Sequence, residues 1–195
     1  MGKESRYGHL GIVGLFQKTP HNLYREHANL LSKLGGDAPG ATEKVVFYKI
    51  KNRNTGKCVD VEYASTDDGA NVHQWHYNPD GYENQLWNIE KVATGDNGEV
   101  YYKFIALHSG KCFEVKDYLT DNGANVQQYT YIGGYKDQQW RIIPIDDSPY
   151  VKIINRNSGK ALDVAYGSTA DGANIQQWPY EGENQQWELL LKMEK

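Results

Sequence analysis

The sequence predicts an all-β fold with internal threefold symmetry, and three observations carry that prediction. The first is a repeated string. Gly-Lys-Cys-Val-Asp-Val (56–61), Gly-Ala-Asn-Val-His-Gln-Trp (69–75) and Asn-Gln-Leu-Trp (84–87) recur as 110–115, 123–129 and 137–140, and again as 159–164, 172–178 and 184–187. The second is the spacing, since Cys58, Cys112 and Ala161 hold one slot and Trp87, Trp140 and Trp187 another, each roughly fifty residues apart. The third is the alternation of apolar and polar residues in short runs separated by glycine-containing turns, with no helical periodicity between them.

The repeats are set at 46–93, 98–145 and 149–192. In the first, strands are expected over Val45–Lys51, Lys57–Glu62, Asn71–Tyr77 and Gln85–Lys91. Asn54-Thr55-Gly56, Asp67-Asp68-Gly69 and Pro79-Asp80-Gly81 read as the turns between them, and Asp96-Asn97-Gly98 as the turn into the second repeat. Twelve short strands in three equal groups need a closed arrangement that leaves few edges. A β-trefoil, a six-stranded barrel capped by three hairpins, meets that need. A three-bladed propeller falls below the usual blade count.

Residues 1–45 lie outside the repeat. Thr19-Pro20 is a helix start, Gly35-Gly36 a stop, and Leu23, His27, Leu30, Leu31 and Leu34 share one face at helical spacing. The expectation is a helix at about 20–34 followed by a linker over 37–44. That extension could pack on the barrel, pair with a protein partner, or join an upstream domain.

The net charge of −4 and the lack of a basic run argue against nucleic acid. No apolar run has membrane length, so no membrane insertion is expected. The stretch Leu10–Phe16 is short, is broken by Gly11 and Gly14 and has no cleavage site after it, so no signal peptide is read. Cys58 and Cys112 hold the same slot in two repeats, which puts them in different thirds; two buried free thiols are expected. No cofactor or metal is expected. His73 and His76 lack a third ligand, and Asp67-Asp68-Gly69 lacks the spacing and closing Glu of a calcium loop.

The Asp-Val after the first strand, the (His/Gln)-Gln-Trp run and the closing Asn-Gln-x-Trp resemble the QxW repeat of ricin-B-type lectins and related carbohydrate-binding modules. The resemblance covers about residues 46–192. It implies a sugar pocket in each repeat, with the Asp holding vicinal hydroxyls, the aromatic of the third strand stacking on the sugar and the Asn completing the pocket. The chemistry agrees: a sugar presents neighbouring hydroxyls to a carboxylate and an amide, and a C–H patch to an aromatic face.

Carried over, repeat one gives Asp60, Trp75 and Asn84, with His73 and Gln85 beside them. Repeat three gives Asp163, Trp178 and Asn184, with Gln176 and Gln185. Repeat two departs from the pattern, with Glu114, Tyr129 and Asp137 in the three slots and Gln127 and Gln138 alongside, so its pocket ranks last. Glu places its carboxylate about 1.5 Å further out than Asp. The closing Trp87, Trp140 and Trp187 are expected in the core, where large aromatics dominate burial. Asn71, Asn125 and Asn174 read as a repeated turn.

The expected function is a non-catalytic lectin module for galactose-type sugars or plant polysaccharides such as xylan or arabinan. The alternatives are a targeting domain of a larger glycoside hydrolase or toxin, and a protein-binding or inhibitor trefoil without sugar binding. The resemblance implies an extracellular or cell-surface site of action. Hydrolysis needs two carboxylates across one bond, and Asp60, Glu114 and Asp163 are expected in different thirds. Only Glu114 and Asp137 could pair.

Overall fold

Each repeat begins with a strand whose alternate residues are buried, as the sequence pattern requires. In a computed structural model describing residues 45–79 and 82–194, the order is β1 (Val46–Asn52), β2 (Cys58–Val61), β3 (Val72–Trp75) and β4 (Trp87–Thr94). Repeat two supplies β5 (Val100–Ala106), β6 (Cys112–Val115), β7 (Val126–Tyr129) and β8 (Trp140–Pro144). Repeat three supplies β9 (Val151–Asn155), β10 (Ala161–Val164), β11 (Ile175–Trp178) and β12 (Trp187–Glu194). The proposed helix at 20–34 and its linker lie outside the described residues.

Antiparallel pairing runs β1–β4–β5–β8–β9–β12 and returns from β12 to β1, closing a six-stranded barrel. The hairpins β2–β3, β6–β7 and β10–β11 cap one end, each with a four-residue register. This is the β-trefoil the repeat demands. One expectation needs correction. The strand expected from Gln85 starts at Trp87, because 83–85 form a 3-10 turn, as do 136–138 and 183–185. The Gln of that turn bonds the loop before it, which holds the backbone off the ladder.

Trp87, Trp140 and Trp187 are wholly buried at the starts of β4, β8 and β12. Each indole Nε1 donates to a carbonyl of the hairpin strand above: Val59 O at 3.2 Å, Phe113 O at 3.5 Å and Leu162 O at 3.1 Å. The core thus buries three large rings with their single donor satisfied. Phe113 fills the middle, with ring centroids 4.2 Å from Trp87 and 5.2 Å from Phe104.

Contacts between repeats are equally regular. Gln74, Gln128 and Gln177 are fully buried, although they lie in polar-looking strands. Gln128 Nε2 donates to Ser65 O and Asp67 O in the hairpin of repeat one (2.7 and 3.0 Å), and Ser109 donates to its Oε1 (2.8 Å). Gln177 holds Leu119 O and Asp121 O of repeat two, and Gln74 holds Ser168 O and Ala170 O of repeat three. Every hairpin is therefore clamped by its neighbour, and the amides also satisfy carbonyls that burial would leave unpaired. On the axis, Asn125 Nδ2 donates to Asn71 Oδ1 and Asn174 Nδ2 to Asn125 Oδ1 (3.1 and 2.9 Å), so these asparagines also join the hairpins to each other.

Cys58 and Cys112 are free and buried. Burial pushes their thiols up to about 11 and about 12, which leaves them protonated and unreactive at neutral pH.

Candidate functional site

Equivalent clusters of candidate-site side chains, called pocket one, the middle pocket and pocket three after their repeats, lie where each capping hairpin meets the 3-10 turn before its closing tryptophan. Register places the key residues of a repeat opposite one another. Asp60 pairs with His73, Glu114 with Gln127 and Asp163 with Gln176. The carboxylate on one strand therefore points the same way as the amide or imidazole on the other, beside the aromatic two residues further on.

In pocket three, Gln176 Nε2 donates to Asp163 Oδ1 (2.9 Å) and Asn184 Nδ2 to Asp163 Oδ2 (2.7 Å). Asn184 also donates to Val164 O (3.2 Å). The carboxylate is thus fixed by two amides and keeps further lone pairs for a ligand. Burial raises Asp163 to about 6; the Gln176 and Asn184 amides oppose that rise and the charge of Glu181 adds to it. Trp178 is half-buried, and the cavity of about 370 Å³ is lined by Asp163, Tyr166, Gly167, Gln176, Trp178, Glu181, Asn184 and Gln185.

Pocket one repeats the arrangement. His73 Nε2 donates to Asp60 Oδ1 (2.8 Å), and Asn84 Nδ2 donates to Asp60 Oδ2 (3.0 Å) and Val61 O (2.9 Å). The imidazole stacks on Trp75 at 5.5 Å, and Trp75 is 36 % exposed. His73 therefore does for Asp60 what Gln176 does for Asp163.

The middle pocket differs at its centre. Glu114 Oε1 accepts from Gln127 Nε2 (2.8 Å), but Oε2 accepts from Gln138 Nε2 (2.6 Å), one residue beyond the Asn slot. The longer side chain has reached past Asp137. Burial, together with the Glu114 charge, pushes Asp137 up to about 6.

Gln85, Gln138 and Gln185, the last residues of the 3-10 turns, brace the loops before those turns, and Gln185 also lines the third cavity. Gln85 donates to His76 O and accepts from Asn78 N. Gln138 donates to Thr130 O and accepts from Ile132 N. Gln185 donates to Pro179 O and accepts from Gly182 N. Lys49, Lys103 and Lys152 pin the same loops by lying 4.4–4.7 Å from the ring centres of Tyr77, Tyr131 and Tyr180.

Two exposed tyrosines in one repeat slot, of which Tyr166 lines the third cavity, escape a sequence reading. Tyr63 and Tyr166 are 93 % and 100 % exposed, and both take left-handed backbone angles (φ 54° and 58°). Such a conformation is costly for a bulky residue. The same slot in repeat two holds Asp117 (φ 56°). The sequence signal, legible only afterwards, is the three-residue step from each pocket carboxylate.

A family model described as ricin-type β-trefoil lectin domain-like matches residues 40–129, 83–178 and 136–194. The chain belongs to that family. Among solved structures, it is similar to the designed threefold-symmetric protein ThreeFoil, at 50 % identity and a TM-score of 0.66 over 74 % of this chain and 97 % of that one. It is also similar to 1,3Gal43A, an exo-β-1,3-galactanase from Clostridium thermocellum, at 37 % identity and a TM-score of 0.69. That match spans 78 % of this chain and 31 % of the galactanase. The Rhizoctonia solani agglutinin shares the fold at 20 % identity, with a TM-score of 0.63 over 80 % of this chain and all of that one. No curated protein matches the chain in sequence. Among the described residues of this ricin-type trefoil, no helix is long and apolar enough to cross a membrane, and no three His, Cys, Asp or Glu side chains cluster as a metal site would require.

Proposed function

We propose that this ricin-type trefoil is a non-catalytic sugar-binding module whose pockets one and three take galactose-type sugars. The observation that carries the reading is the twice-built constellation: Asp60 with Asn84, His73 and Trp75, and Asp163 with Asn184, Gln176 and Trp178. A carboxylate held by two donors and flanked by a partly exposed indole matches two vicinal hydroxyls beside a C–H face. The likeness to an enzyme named as a galactanase favours galactosides over xylan or arabinan. Aromatic contact at about 1–1.5 kcal/mol and a few hydrogen bonds at about 1 kcal/mol each give affinities near millimolar for one pocket, about −4 kcal/mol. Several pockets on one body gain avidity on a polymer.

Two features support a binding rather than a hydrolytic role. Asp60 and Asp163 sit on separate hairpins, so these two carboxylates do not flank one glycosidic bond together as hydrolysis requires. In the middle pocket both oxygens of Glu114 are already held by glutamines. The galactanase match, confined to 31 % of that enzyme, also supports the reading of a targeting module attached to a larger glycosidase, with residues 1–45 as the junction.

The test is calorimetry and a glycan array on the wild-type chain, Asp60→Ala, Asp163→Ala and the double variant. Each single change is expected to remove one galactoside site, and the double change both. Galactoside binding that survives the double change would overturn the pocket assignment. A chain that binds no glycan but captures a protein would support the inhibitor-type reading instead.

A further inference from the structure

We propose that the middle pocket is built for a sugar carrying a primary ammonium group, an amino-sugar unit rather than a neutral hexose. The inference rests on the sugar-binding reading above and concerns one pocket of it.

The argument is a missing donor. In pockets one and three the Asn amide donates twice, to the pocket carboxylate (3.0 and 2.7 Å) and to a strand carbonyl, Val61 O or Val164 O (2.9 and 3.2 Å). Asp137 stands in that slot, and an ionised carboxylate can only accept. Two donors are thereby removed and a negative charge is added opposite Glu114. The Asp137 side chain is only 2 % exposed, and its Oδ1 is buried without a hydrogen-bond partner. Among the described residues, neither Glu114 nor Asp137 forms an ion pair.

The surrounding charges point the same way. Asp117 holds the slot of the exposed Tyr63 and Tyr166, so the turn that follows the Glu114 strand carries a further carboxylate. Lys116 and Lys136, next in sequence to Asp117 and Asp137, are exposed on the flanking 3-10 turns. Lys111 is bound to Asp68 (2.7 Å), and Lys103 to Glu90 (3.0 Å) and to the face of Tyr131. Tyr129 keeps an aromatic face in the stacking slot, and Tyr118, 6.1 Å edge-on from Tyr135, takes the place of Gly167. Burial and the Glu114 charge raise Asp137 to about 6, so its own carboxyl is mainly ionised at pH 7.5.

An ammonium supplies three donors and no acceptor, with one positive charge. It answers Asp137, Glu114 and the strand carbonyl together, while the rest of the ring lies on Tyr129. A neutral hydroxyl supplies one donor and leaves the charge pair uncompensated. Among the described residues no three His, Cys, Asp or Glu side chains cluster as a metal site would require.

The test is amide-resolved NMR titration of the wild-type chain at pH 7.5 with galactosamine, galactose and N-acetylgalactosamine, with calcium chloride as a separate arm. Galactosamine is expected to shift the amides of 112–139, Tyr129 among them, with at least tenfold tighter apparent affinity there than galactose. N-acetylation is expected to abolish that preference. Asp137→Asn and, independently, Glu114→Gln should each lower it about tenfold while the spectra stay folded. Galactosamine shifts confined to pockets one and three would overturn this proposal and leave the parent reading standing. Calcium reproducing the middle-pocket shifts would also overturn it. If no sugar moves any pocket, both readings fall.

Discussion

Asn184 donates to Asp163 Oδ2 at 2.7 Å, and this bond holds the pocket carboxylate although burial makes its charge expensive. An acid raised to about 6 while receiving two amide hydrogens is poised to gain from ligand hydroxyls, because each further donor stabilises the ionised form. The same relationship, Asn84 to Asp60 at 3.0 Å, recurs in pocket one and is absent from the middle pocket, where residue 137 has no hydrogen to give.

A pH dependence follows for pocket three. In the proposed function the ionised form of Asp163 holds the galactoside, and protonation sets in as pH falls toward about 6. Affinity at this pocket is expected to be flat above pH 7 and to fall about tenfold by pH 5, one unit below the midpoint. Stability runs the other way. The raised folded-state value means that the Asp163 contribution is most favourable below the unfolded carboxylate range and is lost as pH rises through 6. Site-resolved NMR titration from pH 8 to pH 5 checks the first statement. Urea denaturation of the wild type against Asp163→Asn across that range checks the second.

The two tryptophan sets are expected to separate cleanly. Trp187 is fully buried and its indole donates to Leu162 O, so Trp187→Ala is expected to cost about 3–5 kcal/mol of stability. Trp178 lines the cavity and is half-buried. Trp178→Ala is expected to weaken galactoside binding at pocket three about tenfold, from a lost contact of about 1–1.5 kcal/mol, with far less effect on the melt. Denaturant melts and calorimetry on the two variants provide the comparison. A Trp187→Ala protein as stable as wild type would contradict the core assignment.

Much of this architecture was legible in the sequence because a threefold repeat fixes which residues share a place. Asp60, Asp163 and their asparagines could be aligned before any strand was assigned, and the closing tryptophans stood apart from Trp75 and Trp178 by slot alone. Other features were hidden for physical reasons. Gln74, Gln128 and Gln177 share a strand face with the buried Val72, Val126 and Ile175, but the partners of an amide there lie in the neighbouring repeat, which a single strand does not reveal. Gln85 was expected at the head of a strand, since a 3-10 turn of three residues has no period to detect. The mouth tyrosines were invisible because nothing about a tyrosine announces a left-handed backbone.

The clamps between repeats give a prediction of their own. Gln128→Ala removes two donors to Ser65 O and Asp67 O and the acceptor of Ser109, all in part-buried contacts. Water reaches the freed carbonyls in part, so a net loss of about 1–3 kcal/mol is expected. Because the hairpin of repeat one is the one released, hydrogen exchange should speed up around residues 65–69 more than around 119–123. Uniform acceleration in all three hairpins would refute the neighbour-clamp account.

Tyr166 tests whether strain is spent on binding. Its φ of 58° with a fully exposed ring offers no packing that would reward the conformation in the free protein, yet the ring lines pocket three. Strain held at such a position costs of order 1 kcal/mol, and residues that bear it cluster at ligand sites. Glycine enters the left-handed region without that cost. Tyr166→Gly is therefore expected to raise stability by up to about 1 kcal/mol while weakening oligosaccharide binding at pocket three several-fold. Tyr166→Phe should keep affinity if the contact is stacking and lose it if the hydroxyl is the partner. Equal affinity in wild type and Tyr166→Gly, measured by calorimetry with a galacto-oligosaccharide, would mean that the strained tyrosine serves no ligand at this mouth.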